Sequence, residues 1–140
     1  YVAQVADVSV NERDGSVKVD RIVAAVDCGP VVNPDTVKAQ IEGGVIEALS
    51  ATLKEEIKFS NGGVKSANFN DYHIIRMSEI PDIEVHIVKS NEKIGGIGEP
   101  GVPPTAPAVA NAVFNAMGAR IRRLPITPET VLAAIKNKRT

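Results

Sequence analysis

Residues 95–107, Gly-Gly-Ile-Gly-Glu-Pro-Gly-Val-Pro-Pro-Thr-Ala-Pro, set one carboxylate among four glycines and four prolines directly ahead of an apolar stretch. Proline lacks an N–H and clashes with the preceding turn of a helix. No helix therefore runs through this segment, and one can begin only near its end, at 105–107. Pro100 restricts Glu99 to extended backbone angles, and the later prolines stiffen the exit. The glycines allow approaches that a side chain would prevent. A helix starting at 105–107 would turn unpaired N–H groups towards the loop. Two readings fit these residues: a rigid surface loop with Glu99 in solvent, or a general base held at a site for an anion or a polar cofactor.

Gly96-x-Gly98-x-x-Gly101 also spells the dinucleotide-binding fingerprint, but its context is wrong. Pro100, Pro103 and Pro104 forbid the helix that should open inside the motif, the preceding strand stops near Val88, and a glutamate in the loop would repel phosphate.

With 140 residues, 44% of them hydrophobic and 24% charged, the chain has ordinary globular composition and length for one core. No stretch approaches the roughly 20 apolar residues of a membrane span. A net charge of −1 argues against a nucleic-acid surface, and only Arg120-Ile121-Arg122-Arg123 is locally basic, which reads as a solvated helix end. Cys28 is the one cysteine, so no internal disulfide forms. His73 and His86 have no His or Cys three or four residues away, and no metal ligated by protein side chains is expected. His86 falls opposite Ile83, Val85 and Ile87 on its strand and reads as a rim residue. The chain opens on Tyr1 inside a strand pattern and reads as a piece of something longer, so localisation stays open.

Residues 1–10 and 17–26 read as a hairpin around Asn11-Glu12-Arg13-Asp14-Gly15-Ser16. Asn33 and Pro34 read as cap and first residue of a helix whose apolar positions, Val37, Ile41, Val45, Ala48, Leu49 and Leu53, extend it to Ile57. Asn61-Gly62-Gly63 ends that region. A short strand or extended segment is predicted over 64–72, a strand over 83–88, a helix over 106–117 ending at Gly118, and a last helix capped by Thr127 with Pro128 first. This order predicts an α+β fold, with a mixed, partly antiparallel sheet and helices packed over one face.

The helix carries two interior glycines in Gln40-Ile41-Glu42-Gly43-Gly44, each costing about 1 kcal/mol relative to alanine. Close packing against another backbone would compensate. So would a large ligand, or the Glu99 loop, lying on that face with Gln40 offering an amide donor and acceptor.

Four ordered motifs together resemble one family: Asp27-Cys28-Gly29-Pro30-Val31-Val32-Asn33-Pro34, Gln40-Ile41-Glu42-Gly43-Gly44, Asn68-Phe69-Asn70-Asp71-Tyr72 and Gly95-Gly96-Ile97-Gly98-Glu99-Pro100. The resemblance is to the molybdenum hydroxylases of the xanthine oxidase and aldehyde oxidase family. Pro104-Thr105-Ala106-Pro107-Ala108-Val109-Ala110-Asn111-Ala112-Val113, Gly118-Ala119-Arg120 and Leu124-Pro125-Ile126 look more narrowly like the branch containing isoquinoline 1-oxidoreductase large subunits and related bacterial aldehyde dehydrogenases.

The resemblance implies that residues 1–140 are a C-terminal portion of the molybdopterin-binding large subunit. It implies Glu99 as the catalytic glutamate and Gln40 and Gly98 as cofactor contacts, with molybdenum held by a molybdopterin, in its cytosine dinucleotide form, rather than by amino acids. In that family water is the oxygen source, the glutamate takes its proton, hydride passes to the cofactor, and electrons leave through iron–sulfur clusters on a small subunit or domain. The implied substrate is an aldehyde or an N-heterocycle. The family's upstream cofactor segments and iron–sulfur cysteine motifs are not among these residues, so the remainder of the large subunit and the iron–sulfur subunit are the implied partners. The rival expectation is a non-catalytic packing or subunit-assembly module; a nucleotide-binding domain is more distant.

Overall fold

The opening alternation of small apolar residues becomes an antiparallel pair, β1 (Val2–Val10) and β2 (Val17–Val26), in a computed structural model that describes residues 1–138. On β1 the positions Val2, Gln4, Ala6, Val8 and Val10 turn inward, while Ala3, Val5, Asp7 and Ser9 are exposed. On β2 the buried set changes parity, from Val19 to Ile22, Ala24 and Val26. The pairing absorbs that change: Asp7 opposes Arg21 and Val8 opposes Val19, so Asp20 is an extra residue that keeps both apolar sets on one face.

Asn33 caps α1 (Pro34–Leu53) by accepting the Asp35 and Thr36 N–H groups on its side chain at 3.0 and 3.2 Å. α1 buries Val37, Ile41, Val45, Ala48, Leu49 and Thr52. After it come β3 (Phe59–Ser60), β4 (Gly63–Val64) and then β5 (Asp82–Ile87), which runs parallel to β2. The register sets Ile22 beside Ile83, Ala24 beside Val85 and Val26 beside Ile87. α2 (Thr105–Met117) packs over β1 and against α1 through Val109, Val113 and Met117, and Gly118 closes it at φ 66°. α3 (Pro128–Lys138) adds Val131 to the core. The architecture is the expected α+β fold: a mixed sheet in the order β1-β2-β5, with helices against its inner face.

Two expectations change. α1 ends at Leu53 rather than Ile57: Lys54 leaves helical angles at φ −137°, and the Lys54 and Glu55 N–H groups both close onto the Ser50 carbonyl at 2.9 Å. Of the short strand or extended segment predicted over 64–72, only Val64 lies in a strand. Instead β3 and β4 pair as a short hairpin around Asn61-Gly62, both at positive φ of 51° and 78°. That is the two-residue turn for which Asn-Gly is the strongest local signal. Asn61-Gly62 thus joins two strands rather than ending the helical region, which closes at Leu53.

Candidate functional site

The Glu99 loop is pinned on both sides of the glutamate. From α1, the Gln40 amide nitrogen donates to the Gly98 carbonyl at 3.0 Å. Val102 N–H closes a turn onto the Glu99 carbonyl at 3.0 Å, with Pro100 at the second position where its fixed φ suits the bend. From β1, the Gln4 amide nitrogen donates to the Gly101 carbonyl at 2.8 Å. The Thr105 hydroxyl, fully buried at the start of α2, lies 2.8 Å from Gln4 Oε1 and 3.0 Å from the Gly101 carbonyl as a donor to either.

The two α1 glycines have different reasons. A Cβ on Gly44 would stand 3.4 Å from the Gly101 Cα, and one on Gly101 would stand 3.0 Å from the Ile41 carbonyl oxygen. Gly44 and Gly101 thus let loop and helix backbones meet. A Cβ on Gly43 would meet nothing within 4 Å, so that glycine answers no contact made by this chain. Backbone packing accounts for Gly44, and Gly43 faces open space.

The loop is also anchored where it begins. Gly95 N–H donates to the Cys28 carbonyl at 2.9 Å, and a Cβ on Gly29 (φ 73°) would run into the Lys93 carbonyl at 2.6 Å. Asp27 ties this junction together, accepting from Ser90 Oγ at 2.6 Å and from Gly29 N–H at 3.1 Å. The Ser90 hydroxyl, then the Gly29 amide, hold its carboxyl below the usual carboxylate range.

Three of the four sequence motifs therefore converge: residues 27–34 hold the loop's entry, 40–44 hold its middle, and 95–100 are the loop. The fourth stands apart. Its Tyr72 hydroxyl donates to Glu55 at 2.8 Å, which raises the phenol's pKa, and Asn68 and Asp71 form a local turn.

Glu99, Gly98 and Gln40 all lie on the exposed surface, with Gln40 and Gly98 in direct contact and Glu99 next in the chain. Among the described residues the Glu99 carboxylate has no hydrogen bond or ion pair. The start of α2 is a weaker anion site than expected, because Thr105 N–H is taken by the Val102 carbonyl at 3.3 Å and Pro107 has no N–H; Ala106 alone is left of the first three. His86 is at the rim, paired with Glu84, which also binds Arg21. Arg120 does not simply solvate a helix end: it stacks 3.7 Å over the Phe114 ring and donates to Asn111 at 2.8 Å. Gln4 is the loop-holding residue that sequence reasoning missed. Its signal was present, since it is the single polar side chain on the inward face of β1.

This fold is that of a cofactor-binding domain. Residues 1–81 match the family model described as molybdopterin cofactor-binding domain, and the chain belongs to that family. It is 39% identical over 128 residues to the beta subunit of isoquinoline 1-oxidoreductase from Brevundimonas diminuta, covering 91% of this chain and 16% of that protein. It is 43% identical over 136 residues to a nicotinate dehydrogenase subunit from Pseudomonas putida, covering 96% of this chain and 12% of that protein. Among solved structures it superposes on quinoline 2-oxidoreductase from Pseudomonas putida 86 with a TM-score of 0.84 and 29% identity, over 92% of this chain and 18% of that one. The chain thus spans less than a fifth of the length of these relatives.

At this surface the chain offers bare glycine backbone and one amide oxygen. A Cβ built on Gly43, Gly96 or Gly98 would meet nothing within 4 Å, so bare backbone faces outward there. Gln40 keeps Oε1 as an acceptor, since only its nitrogen is engaged with Gly98. No group of three or more His, Cys, Asp or Glu placed to hold a metal occurs among the described residues, and no helix among them is long and apolar enough to cross a membrane.

Proposed function

We propose that residues 1–140 form the C-terminal, base-bearing portion of the molybdopterin-binding subunit of a molybdenum hydroxylase. The reaction is oxidation of an aldehyde or an N-heterocycle with water as oxygen source, and Glu99 is its general base. One observation carries this reading. The backbone is clamped at Gly98 and Gly101, on either side of Glu99, yet the carboxylate itself is exposed and has no partner among the described residues. The backbone around Glu99 is thus held while its carboxylate stays available to a reacting group.

When bound, a molybdopterin, in its cytosine dinucleotide form, supplies a two-electron acceptor and a metal that acidifies water. Glu99 takes the proton from the water oxygen that attacks the substrate carbon. The Gly98 carbonyl is held by Gln40, whose Oε1 is left to accept an N–H of the pterin. Bare backbone at Gly43 and Gly98 leaves room for the flat ring. Because Glu99, Gln40 and Gly98 are all exposed, this chain supplies one wall, and the remainder of the large subunit closes the pocket and excludes water. A small iron–sulfur subunit would be the partner that accepts the electrons. The relatives support this class of substrate, since isoquinoline and nicotinate are both N-heterocycles.

Molybdenum and pterin analysis of the full protein that contains this chain tests the proposal. Stoichiometric molybdenum and pterin are expected. Native, folded protein free of both would favour the packing or assembly module instead.

A further inference from the structure

We infer that Gln4 is a positioning residue for Glu99, acting through the carbonyl of Gly101; this rests on the proposed role of Glu99 as base. Even a half-buried amide is costly when its polar ends are unpaired. Gln4 occupies an inward position on β1 between Val2 and Ala6, where an apolar side chain would pack without any polar atom to satisfy. The amide is tolerated there because both of its ends are used: the nitrogen donates to the Gly101 carbonyl at 2.8 Å and the oxygen faces the Thr105 hydroxyl at 2.8 Å. The orientation is fixed by its partners, since turning the amide over would bring Oε1 against the Gly101 carbonyl, two acceptors facing one another.

What the amide holds is the far end of the Glu99 turn. Glu99 and Gly101 belong to one turn closed by the Val102 N–H to Glu99 carbonyl bond, so rotation of the Gly101 peptide also disturbs the peptide that follows Glu99. Gln40 fixes the peptide before Glu99, and Gln4 with Thr105 fixes the turn after it. Neither glutamine bonds to the carboxylate. Together they leave Glu99 only its side-chain torsions, the condition for a base held at one distance from a reacting oxygen. Gln4 lies 97 residues from Gly101 in sequence, and no spacing rule would have connected them.

The test is a double-mutant cycle in the full, cofactor-loaded protein, combining Gln4→Met with Glu99→Gln. Methionine keeps the length and apolar stem and removes both hydrogen bonds. Gln4→Met is expected to lower kcat about 10- to 100-fold, the scale of a small misplacement of a reacting group, with KM within about twofold and molybdenum content unchanged. In the Glu99→Gln background the same change should cost less than about twofold, because a base already lost cannot be misplaced. Hydrogen–deuterium exchange at Val102 supplies a readout independent of turnover and should be faster in Gln4→Met.

Gln4→Glu is the second variant if methionine impairs folding. It keeps the acceptor for Thr105 but sets a carboxylate against the Gly101 carbonyl, so the same fall in kcat and the same faster exchange are expected. Equal losses in both backgrounds, or unchanged Val102 exchange, overturn the inference. If Glu99→Gln itself leaves the rate intact, the functional proposal fails, and Val102 exchange still decides whether Gln4 holds the turn.

Discussion

Gly101→Ala concentrates the packing of loop on helix into one methyl group. The added Cβ would stand 3.0 Å from the Ile41 carbonyl oxygen and 3.3 Å from the Ile41 Cα, both backbone atoms of α1 in its buried stretch. Backbone in the middle of a helix cannot step aside as a side-chain tip can, so the loop must move by a few tenths of an ångström. That motion stretches the 2.8 Å Gln4 bond to the Gly101 carbonyl and the 3.0 Å Thr105 bond together. Overpacking of this kind costs about 1–3 kcal/mol, against which the alanine recovers about 0.4–1 kcal/mol by restricting the unfolded chain. The net expectation is destabilisation of about 1–2 kcal/mol, most of it from strain. Gly43→Ala is the internal control: it lies in the same region, its Cβ meets nothing, and helix propensity should stabilise it by up to about 1 kcal/mol. Urea unfolding of the wild type and both variants in the full protein measures the difference. If Gly101→Ala is as stable as Gly43→Ala, loop and helix are not in backbone contact and the account of the glycines is wrong.

Gly43→Leu should leave stability unchanged or slightly raised, yet lower the molybdenum and pterin content of the full protein, since the open space over Gly43 is assigned to the cofactor; normal content with normal turnover would show that face to be solvent. Gln40→Met should release the Gly98 carbonyl at a cost of about 0.5–1.5 kcal/mol, the net worth of one hydrogen bond, and reduce cofactor content, measured by thermal melting and metal analysis. The Lys54 ammonium, then the Arg76 amide, hold the Glu79 carboxyl below the ordinary glutamate range. A folded-state pKa lowered in this way contributes stability above the unfolded-state value and loses it as pH falls through the folded one. Glu79→Gln should therefore flatten the acid limb of the stability curve, followed by urea midpoints across that pH range; an unchanged acid limb would remove the pair from the account.

Local rules made much of the fold legible in the sequence. Asn33-Pro34, Thr127-Pro128 and Gly118 marked helix ends because caps act within a turn of the residues that make them. The Glu99 loop was legible for the same reason, its glycines and prolines being neighbours. What escaped depended on distance along the chain. The contact of Gly44 with Gly101 and the reach of Gln4 to Gly101 join residues that only the tertiary fold brings together, and no periodicity encodes them. Gly43 and Gly44 look identical in sequence but face different surroundings, so a single explanation for the pair could serve only one of them. The end of α1 differs from the sequence reading because the apolar spacing continues to Ile57, whereas the backbone leaves helical angles at Lys54 and its N–H and that of Glu55 share the Ser50 carbonyl.

Everything proposed for this loop depends on Glu99 taking a proton during substrate oxidation. Glu99→Gln keeps the shape of the side chain and removes that ability. The measurement is the rate at which substrate reduces a fully molybdenum-loaded Glu99→Gln enzyme in a single turnover, beside the wild type at equal loading. A fall of about 10²- to 10⁴-fold is predicted, the range for removal of a general base, with the cofactor retained. A rate within a few-fold of the wild type would contradict the account and leave Glu99 an exposed residue on a rigid loop.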